Sequence, residues 1–436
     1  MKVLFASSEA YPFAMSGGLA DVAGALPKAL RKRLVGCRIV MPLYSCIPDE
    51  LREKMNFICS ITVSVAWRRQ YCGIFEAHMD GVIYYFIDNQ YYFKRDGLYG
   101  HYDDAERFAF FSRAVLDIIP HIGFTPDIIH CNDWQTAMVP VYLDTIYRDN
   151  DIYRNIKTVF TIHNIQYQGK YGHELTGDVL GLPYESESLV EYDGCVNLMK
   201  GAIQCADKVT TVSPTYAREI LEPYYSNGLD NILKQFTYKL TGIVNGIDYD
   251  VYNPETDNLI YKNYSVDDLK NKAYNKKMLL KADLKFVILG SGEWEFETFF
   301  HNAAQNHPDK VALKLGFNPQ LAHKIYAGAD MFLMPSQTEP CGLAQMVALR
   351  YGTVPIVRET GGLNDTVSDS GNGEGNGFTF KNYNAHDMEN TVWRALAGYD
   401  DKAGWDILRK RGMRCDNSWG VSANAYIRLY KELAGK

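Results

Sequence analysis

The chain has 436 residues, 47% hydrophobic and 22% charged, a balance that predicts a globular protein of two or three domains. Its net charge is −7 with no long basic run, which argues against a nucleic acid partner, and no apolar run reaches membrane-spanning length. Nine scattered cysteines without a C-x-x-C pair, and a start at Met1-Lys2 that does not read as a signal peptide, predict a cytoplasmic protein.

In chain order, Lys2 to Ser7 reads as a buried strand, followed by the turn Gly17-Gly18 and a helix with Val22, Leu26 and Leu30 on one face. Arg38 to Leu43 is a second strand, and the alternating stretches 58–65 and 81–88 predict a hairpin-like insertion. Helical patterns at 108–119 and 136–147 alternate with strands at 127–130, 157–162 and 208–212, which predicts a doubly wound parallel sheet. The second half is less regular. Strands are predicted at 287–290, 331–334 and 354–357, and a helix at 271–282, while 249–270 is polar and turn-rich. Between residues 248 and 285 no buried strand is evident, so this half starts as if at its second strand. A last helix spans 418–433.

Two similar phrases stand out, Gly17-Gly18-Leu19-Ala20-Asp21 and Gly361-Gly362-Leu363-Asn364-Asp365, each after a strand-like run and before a helix. Paired glycines there let backbone approach a ligand, and free N–H groups at a helix start suit an anion. Glu339, in PSQTEPCGL, follows a strand in the same way, with the N–H groups of Cys341, Gly342 and Leu343 beside it. His163-Asn164 and His130-Cys131-Asn132-Asp133-Trp134 end two further strands, where ligands of α/β proteins bind. A core histidine and a helix-capping aspartate are the plain alternatives for these. Asn245 lies in a tight turn that also reads as a hinge. The acid pairs Asp149/Asp151 and Asp248/Asp250 are rejected as metal ligands, and there is no Walker loop and no G-x-S-x-G.

Taken together, SGGLADVAGALPKAL, DGLYG, HCNDWQT, FTIHN, VNGID, PSQTEPCGL and RYGTVPIVRETGGLNDTV resemble the bacterial glycogen and starch synthases, from Met1 to the last helix. The resemblance implies a GT-B architecture: two Rossmann-like α/β domains facing a cleft, at 1–244 and 245–416, with helix 417–436 crossing back. It implies transfer of glucose from ADP-glucose to the non-reducing end of an α-1,4-glucan, with retention, and with neither metal nor cofactor. By position, Glu339, His163 and Asp21 would stand at the reacting centre. Gly17, Gly18, Asn245, Phe317, Cys341, Gly342, Leu343, Thr360, Gly361 and Gly362 would meet the donor. Glu9, Tyr92, Asn132 and Asp133 would meet the acceptor.

The chain departs from that pattern twice. Met15 stands where the family commonly has a lysine. More seriously, the family's strand and turn carrying an Arg and a Lys, which neutralise the leaving diphosphate, have no counterpart around 280–286. Lys281 and Lys285 are not placed to substitute. Losing one preorganised charge-stabilising donor typically lowers a rate by ~10²–10³, so an impaired synthase, or alternatively a non-catalytic glucan-binding homologue, is expected.

Overall fold

A computed structural model describes residues 1–279 and 286–435; the segment where the sequence places the gap, with Lys281 and Lys285, lies outside the described residues. The chain divides into two compact units, one comprising Met1–Gly246 with the final helix from Trp419, the other Ile247–Ser418.

The first unit is built on a nine-stranded sheet. Its strands are β1 (Lys2–Ala6), β2 (Gly36–Pro42), β3 (Asn56–Val65), β4 (Arg68–Met79), β5 (Val82–Asp88), β6 (Ile128–Asn132) and β7 (Lys157–Ile162). A small antiparallel sheet of β8 (Lys170–Tyr171), β9 (Glu191–Tyr192) and β10 (Cys195–Asn197) intervenes before β11 (Lys208–Thr211) and β12 (Leu240–Gly242) rejoin the main one. The main order is β12-β11-β7-β6-β1-β2-β5-β4-β3. Strand order reverses at β1, which pairs in parallel with β2 on one side and β6 on the other. Ligands of doubly wound sheets bind at such a switch point, beyond the carboxyl ends of the strands. The residues after β1 and β6 are those of Glu9 and Asp133.

The helix Gly18–Arg31 buries Val22, Leu26 and Leu30, each worth roughly 1.5–3 kcal/mol of hydrophobic stabilisation. The predicted hairpin between 58–65 and 81–88 needs correction. The partner of β3 is β4, a strand not anticipated, and β5 instead pairs in parallel with β2. The sequence of β4, RRQYCGIFEAHM, opens on two arginines and alternates exposure only at its start, burying Cys72, Gly73 and Ile74 in its middle. The final helix Trp419–Ala434 returns to this unit. Tyr430 Oη meets buried His130 Nδ1 at 2.6 Å, and Arg33 Nε donates to Asn424 Oδ1 at 2.8 Å.

In the second unit, 247–269 contains neither helix nor strand, as the polar turns from residue 249 predict. A buried cluster anchors it: the Asp257 carboxylate meets His323 Nδ1 at 2.8 Å and accepts from Tyr351 Oη at 2.6 Å. After the helix Lys270–Leu279 come β13 (Phe286–Gly290), β14 (Val311–Leu315), β15 (Met331–Met334), β16 (Val354–Arg358) and β17 (Phe378–Phe380). These form two separate parallel sheets among the described residues, β13-β14 and β15-β16-β17. A doubly wound sheet of order 3-2-1-4-5-6 that lacks strand 1 falls into these two pieces, 3-2 and 4-5-6. Neither β13 nor β15 contains a fully buried residue, whereas β16 is buried throughout.

Candidate functional site

In the first unit, the carboxyl ends of β1, β6 and β7 gather a connected polar group. Glu9 is buried, and its carboxylate accepts from the Ser16 amide, from Gly17 N at 3.3 Å and from Ser16 Oγ at 3.0 Å. Tyr99 Oη donates to Glu9 Oε1 at 3.0 Å and meets Ser8 Oγ at 2.7 Å. The first glycine turn thus wraps a carboxylate, and the amides that an anion would use face Glu9. Asp21, on the first turn of the following helix, is exposed; desolvation and then the Glu9 charge raise its pKa.

Asn132 donates from Nδ2 to the carbonyls of Ala6 at 3.0 Å and His130 at 3.3 Å. Both amide protons are therefore committed, so Oδ1 is the atom that meets His163 Nε2 at 2.9 Å, and that ring nitrogen carries the proton. Burial pushes the His163 pKa down to about 3, so its imidazole is neutral at physiological pH. Asp133 adopts φ +55°, and its Oδ1 accepts from His163 N at 2.7 Å. Desolvation pushes its carboxyl up to about 7, against the pull of the His163 and Asn164 amides. His130 is the core histidine of the pair. Its nitrogens meet Tyr430 Oη and Thr161 Oγ1, both at 2.6 Å, and its pKa falls to about 3 through burial and then His163.

In the second unit, β15 and β16 deliver two loops that touch backbone to backbone. Gly362 N donates to the carbonyls of Glu339 and Pro340, both at 3.2 Å. A Cβ on Gly361, whose φ is +44°, would collide with the Glu339 carbonyl oxygen, and one on Gly362 with that of Cys341. Gly342 turns at φ +68°, and Gln345 Nε2 braces the loop by donating to Cys341 O, Gly342 O and Thr366 Oγ1. Glu339 accepts from Ser336 Oγ at 3.4 Å, and burial raises its pKa despite that bond and the Gly342 amide. Leu343 leads into the helix Ala344–Arg350, and Thr360 is buried at the start of the helix Gly361–Thr366. Phe317, in the loop after β14, is 83% exposed and presents an open ring.

The structure thus gathers Glu9, Gly17, Asn132, Asp133 and His163 in one unit, and Glu339, Cys341, Gly342, Gly361 and Gly362 in the other. Gly18 begins its helix with open space where a side chain would stand. Asn245 belongs to the first unit and is buried with its Oδ1 unbonded. Tyr92 does not join the group; it is fully buried, with its hydroxyl on Glu106. The tyrosine that reaches Glu9 is Tyr99. The DGLYG turn around it was the available signal. Among the described residues, no three or more of His, Cys, Asp and Glu are placed to hold a metal ion. No helix among them is long and apolar enough to cross a membrane.

Residues 2–235 match the starch synthase catalytic domain family, and residues 261–406 match the glycosyl transferases group 1 family. The chain belongs to the glycogen and starch synthase family. A glycogen synthase of Bacillus cereus is 50% identical, with 99% of this chain and all of that protein covered. One from Geobacillus thermodenitrificans is 50% identical over all of this chain and 98% of its own length. The catalytic domain of starch synthase IV from Arabidopsis thaliana, solved with ADP and acarbose, superposes with a TM-score of 0.91 at 32% identity, covering 100% of this chain and 99% of that one. As a member of this family the chain is a retaining hexosyltransferase of GT-B fold, with two α/β units.

Proposed function

We propose that the chain is a glycogen synthase that takes glucose from ADP-glucose in the cytoplasm and whose turnover is impaired by the loss of a diphosphate-binding segment. The donor's C1–O bond to diphosphate breaks and a bond from C1 to the glucan's terminal hydroxyl oxygen forms on the same face. The hydroxyl proton leaves with the diphosphate. Glu339, beside the backbone of Gly361 and Gly362, is suited to the donor sugar, and the open ring of Phe317 to adenine. The ADP complex of the Arabidopsis relative supports that choice of nucleotide. In the first unit, Glu9, Tyr99 and Asp133 offer acceptors and donors to glucan hydroxyls, and neutral His163 holds no competing charge.

The observation that carries the impairment is the divided second sheet. It is supported by length: the match to the Bacillus cereus relative runs over 475 aligned positions, whereas this chain has 436 residues. The intact first unit favours a second reading, a glucan-binding homologue without turnover. Incorporation of labelled glucose from ADP-glucose into glycogen, with Glu339→Ala as control, separates them. Slow incorporation abolished by the substitution supports the impaired synthase. None, from a folded chain that retains glucan, supports the second reading. Robust incorporation at the rate of full-length relatives overturns the impairment.

A further inference from the structure

The two loops that meet around Glu339 share one brace, Gln345, which stands on the helix Ala344–Arg350 and is fully buried. Side chains in the first turn of a helix lean back over the backbone that leads into it, and Gln345 leans over Cys341 and Gly342. Its Nε2 donates to Cys341 O at 3.1 Å, to Gly342 O at 2.8 Å and to Thr366 Oγ1 at 3.1 Å, so two protons serve three acceptors. The orientation of the amide follows from these partners. Both carbonyls can only accept, and the Thr366 hydroxyl itself donates to Gly362 O at 2.6 Å, so the nitrogen must face all three. The oxygen is left over Gly342 without a hydrogen-bond partner among the described residues. A Cβ at Gly342, whose φ is +68°, would stand 2.5 Å from that oxygen. A buried acceptor left unmet destabilises a fold, so its retention here points to what the nitrogen does.

The grip on Cys341 O reaches Glu339 through a peptide plane. The Cys341–Gly342 bond is trans, so its C=O and N–H point to opposite sides. With the carbonyl drawn towards Gln345, the Gly342 N–H points away from it, and that N–H bonds the Glu339 carboxylate. The next plane is held likewise, at Gly342 O. Glycine is the residue about which such planes turn most freely, and here both planes flanking it are pinned by one side chain. Among the described residues the other bond to the Glu339 carboxylate, from Ser336 Oγ, is long at 3.4 Å.

We propose that Gln345 is a positioning residue for the reaction: it locks the Cys341–Gly342 peptide so that one backbone N–H is aimed at Glu339 and holds the carboxylate beside the Gly361–Gly362 turn. This role rests on the reading of Glu339 as the carboxylate at the donor sugar and adds the residue that orients it. Without the amide nitrogen the peptide is free to turn. The carboxylate then keeps its burial but loses its backbone donor, and it takes up a proton more readily. A brace that only stabilised the loops would act in the opposite sense, because loosened loops admit water to Glu339 and favour its charged form.

The test is a titration of the full chain by carbon NMR, with glutamate labelled at the side-chain carboxyl and the Glu339 signal identified by its loss in Glu339→Gln. Gln345→Met keeps the length of the side chain and removes its donors, and should move the Glu339 midpoint up by about one pH unit. Thr366→Val removes the third acceptor and leaves both carbonyls to Gln345, so the midpoint should stay where it is. Circular dichroism verifies that each variant folds. In the unaltered chain the Gly342 amide proton should shift with the same midpoint as Glu339, a measurement that stands even where Gln345→Met does not fold. An unmoved or lowered midpoint in Gln345→Met, an equal rise in Thr366→Val, or a Gly342 amide indifferent to the titration each overturns the positioning role. None of these readouts requires turnover, so the synthase reading stands or falls separately, on glucose incorporation.

Discussion

Asn132 fixes the proton of His163. Because its Nδ2 is spent on Ala6 and His130, its oxygen faces His163 Nε2 at 2.9 Å, and the imidazole is held as one neutral tautomer. Asn132→Leu removes that acceptor and leaves the two carbonyls without their donor. Stability should fall by ~1–3 kcal/mol, read from the urea midpoint, and nitrogen NMR should show His163 no longer confined to the Nε2–H form.

Acid should weaken the first unit in a way these groups dictate. His130 and His163 titrate near 3 when folded and near 6.5 when unfolded, so between those values the unfolded state binds two more protons. Asp133 acts oppositely: with a folded pKa of about 7 against 3.8 unfolded, it holds a proton that the unfolded chain releases. The net is one extra proton on the unfolded state between about pH 4 and 6.5. Stability should therefore fall on the order of 1 kcal/mol per pH unit as pH drops through that window. Asp133→Asn removes the opposing contribution and should steepen the slope, measured by urea unfolding at several pH values.

Gly361→Ala places a methyl group against the Glu339 carbonyl in a left-handed backbone conformation. The loops cannot then meet, so the second unit should melt earlier, by roughly 1–3 kcal/mol, and residual glucose incorporation should vanish. Calorimetry that shows only the first-unit transition unchanged would confirm that the effect is confined to one unit.

On the proposed loss of a diphosphate-binding segment, joining Leu279 to Phe286 through the corresponding segment of the Bacillus cereus relative should raise glucose incorporation by ~10² or more, measured with labelled ADP-glucose. The same insertion should protect the β13–β14 layer. There Phe286, Trp294, Phe296 and Phe299 are all exposed, Trp294 at 80%. The unaltered chain should bind a hydrophobic dye and be cut first between 286 and 318; the insertion should suppress both.

Much of this was readable before any coordinates, for identifiable reasons. Strand ends that carry Asn132, Asp133, His163 and Glu339 announce themselves, because polar residues directly after an apolar run have few places to be except a sheet's carboxyl edge, whereas Glu9 came only from the resemblance. That no strand stands between Asp248 and Leu279 among the described residues was readable as a run of polar turns followed by a helical pattern. Tyr92 and Tyr99 could not be told apart, since neighbouring aromatics in one helix-and-turn segment look alike until packing buries one against Glu106 and aims the other at Glu9. The strand β4 escaped because its start, Arg68-Arg69-Gln70, is polar and only partly covered, whereas β14, Val311-Ala312-Leu313-Lys314-Leu315, is apolar but short and only half-buried.

The contact between His130 and Tyr430 joins residues 300 positions apart. It sets a constraint on biosynthesis. Residues 1–246 leave the ribosome early, yet their buried imidazole lacks one partner until the helix Trp419–Ala434 has been translated. The entire second unit is made in the interval. The first unit must therefore wait, nearly complete, for the helix Trp419–Ala434, and any stop before that helix would strand it there.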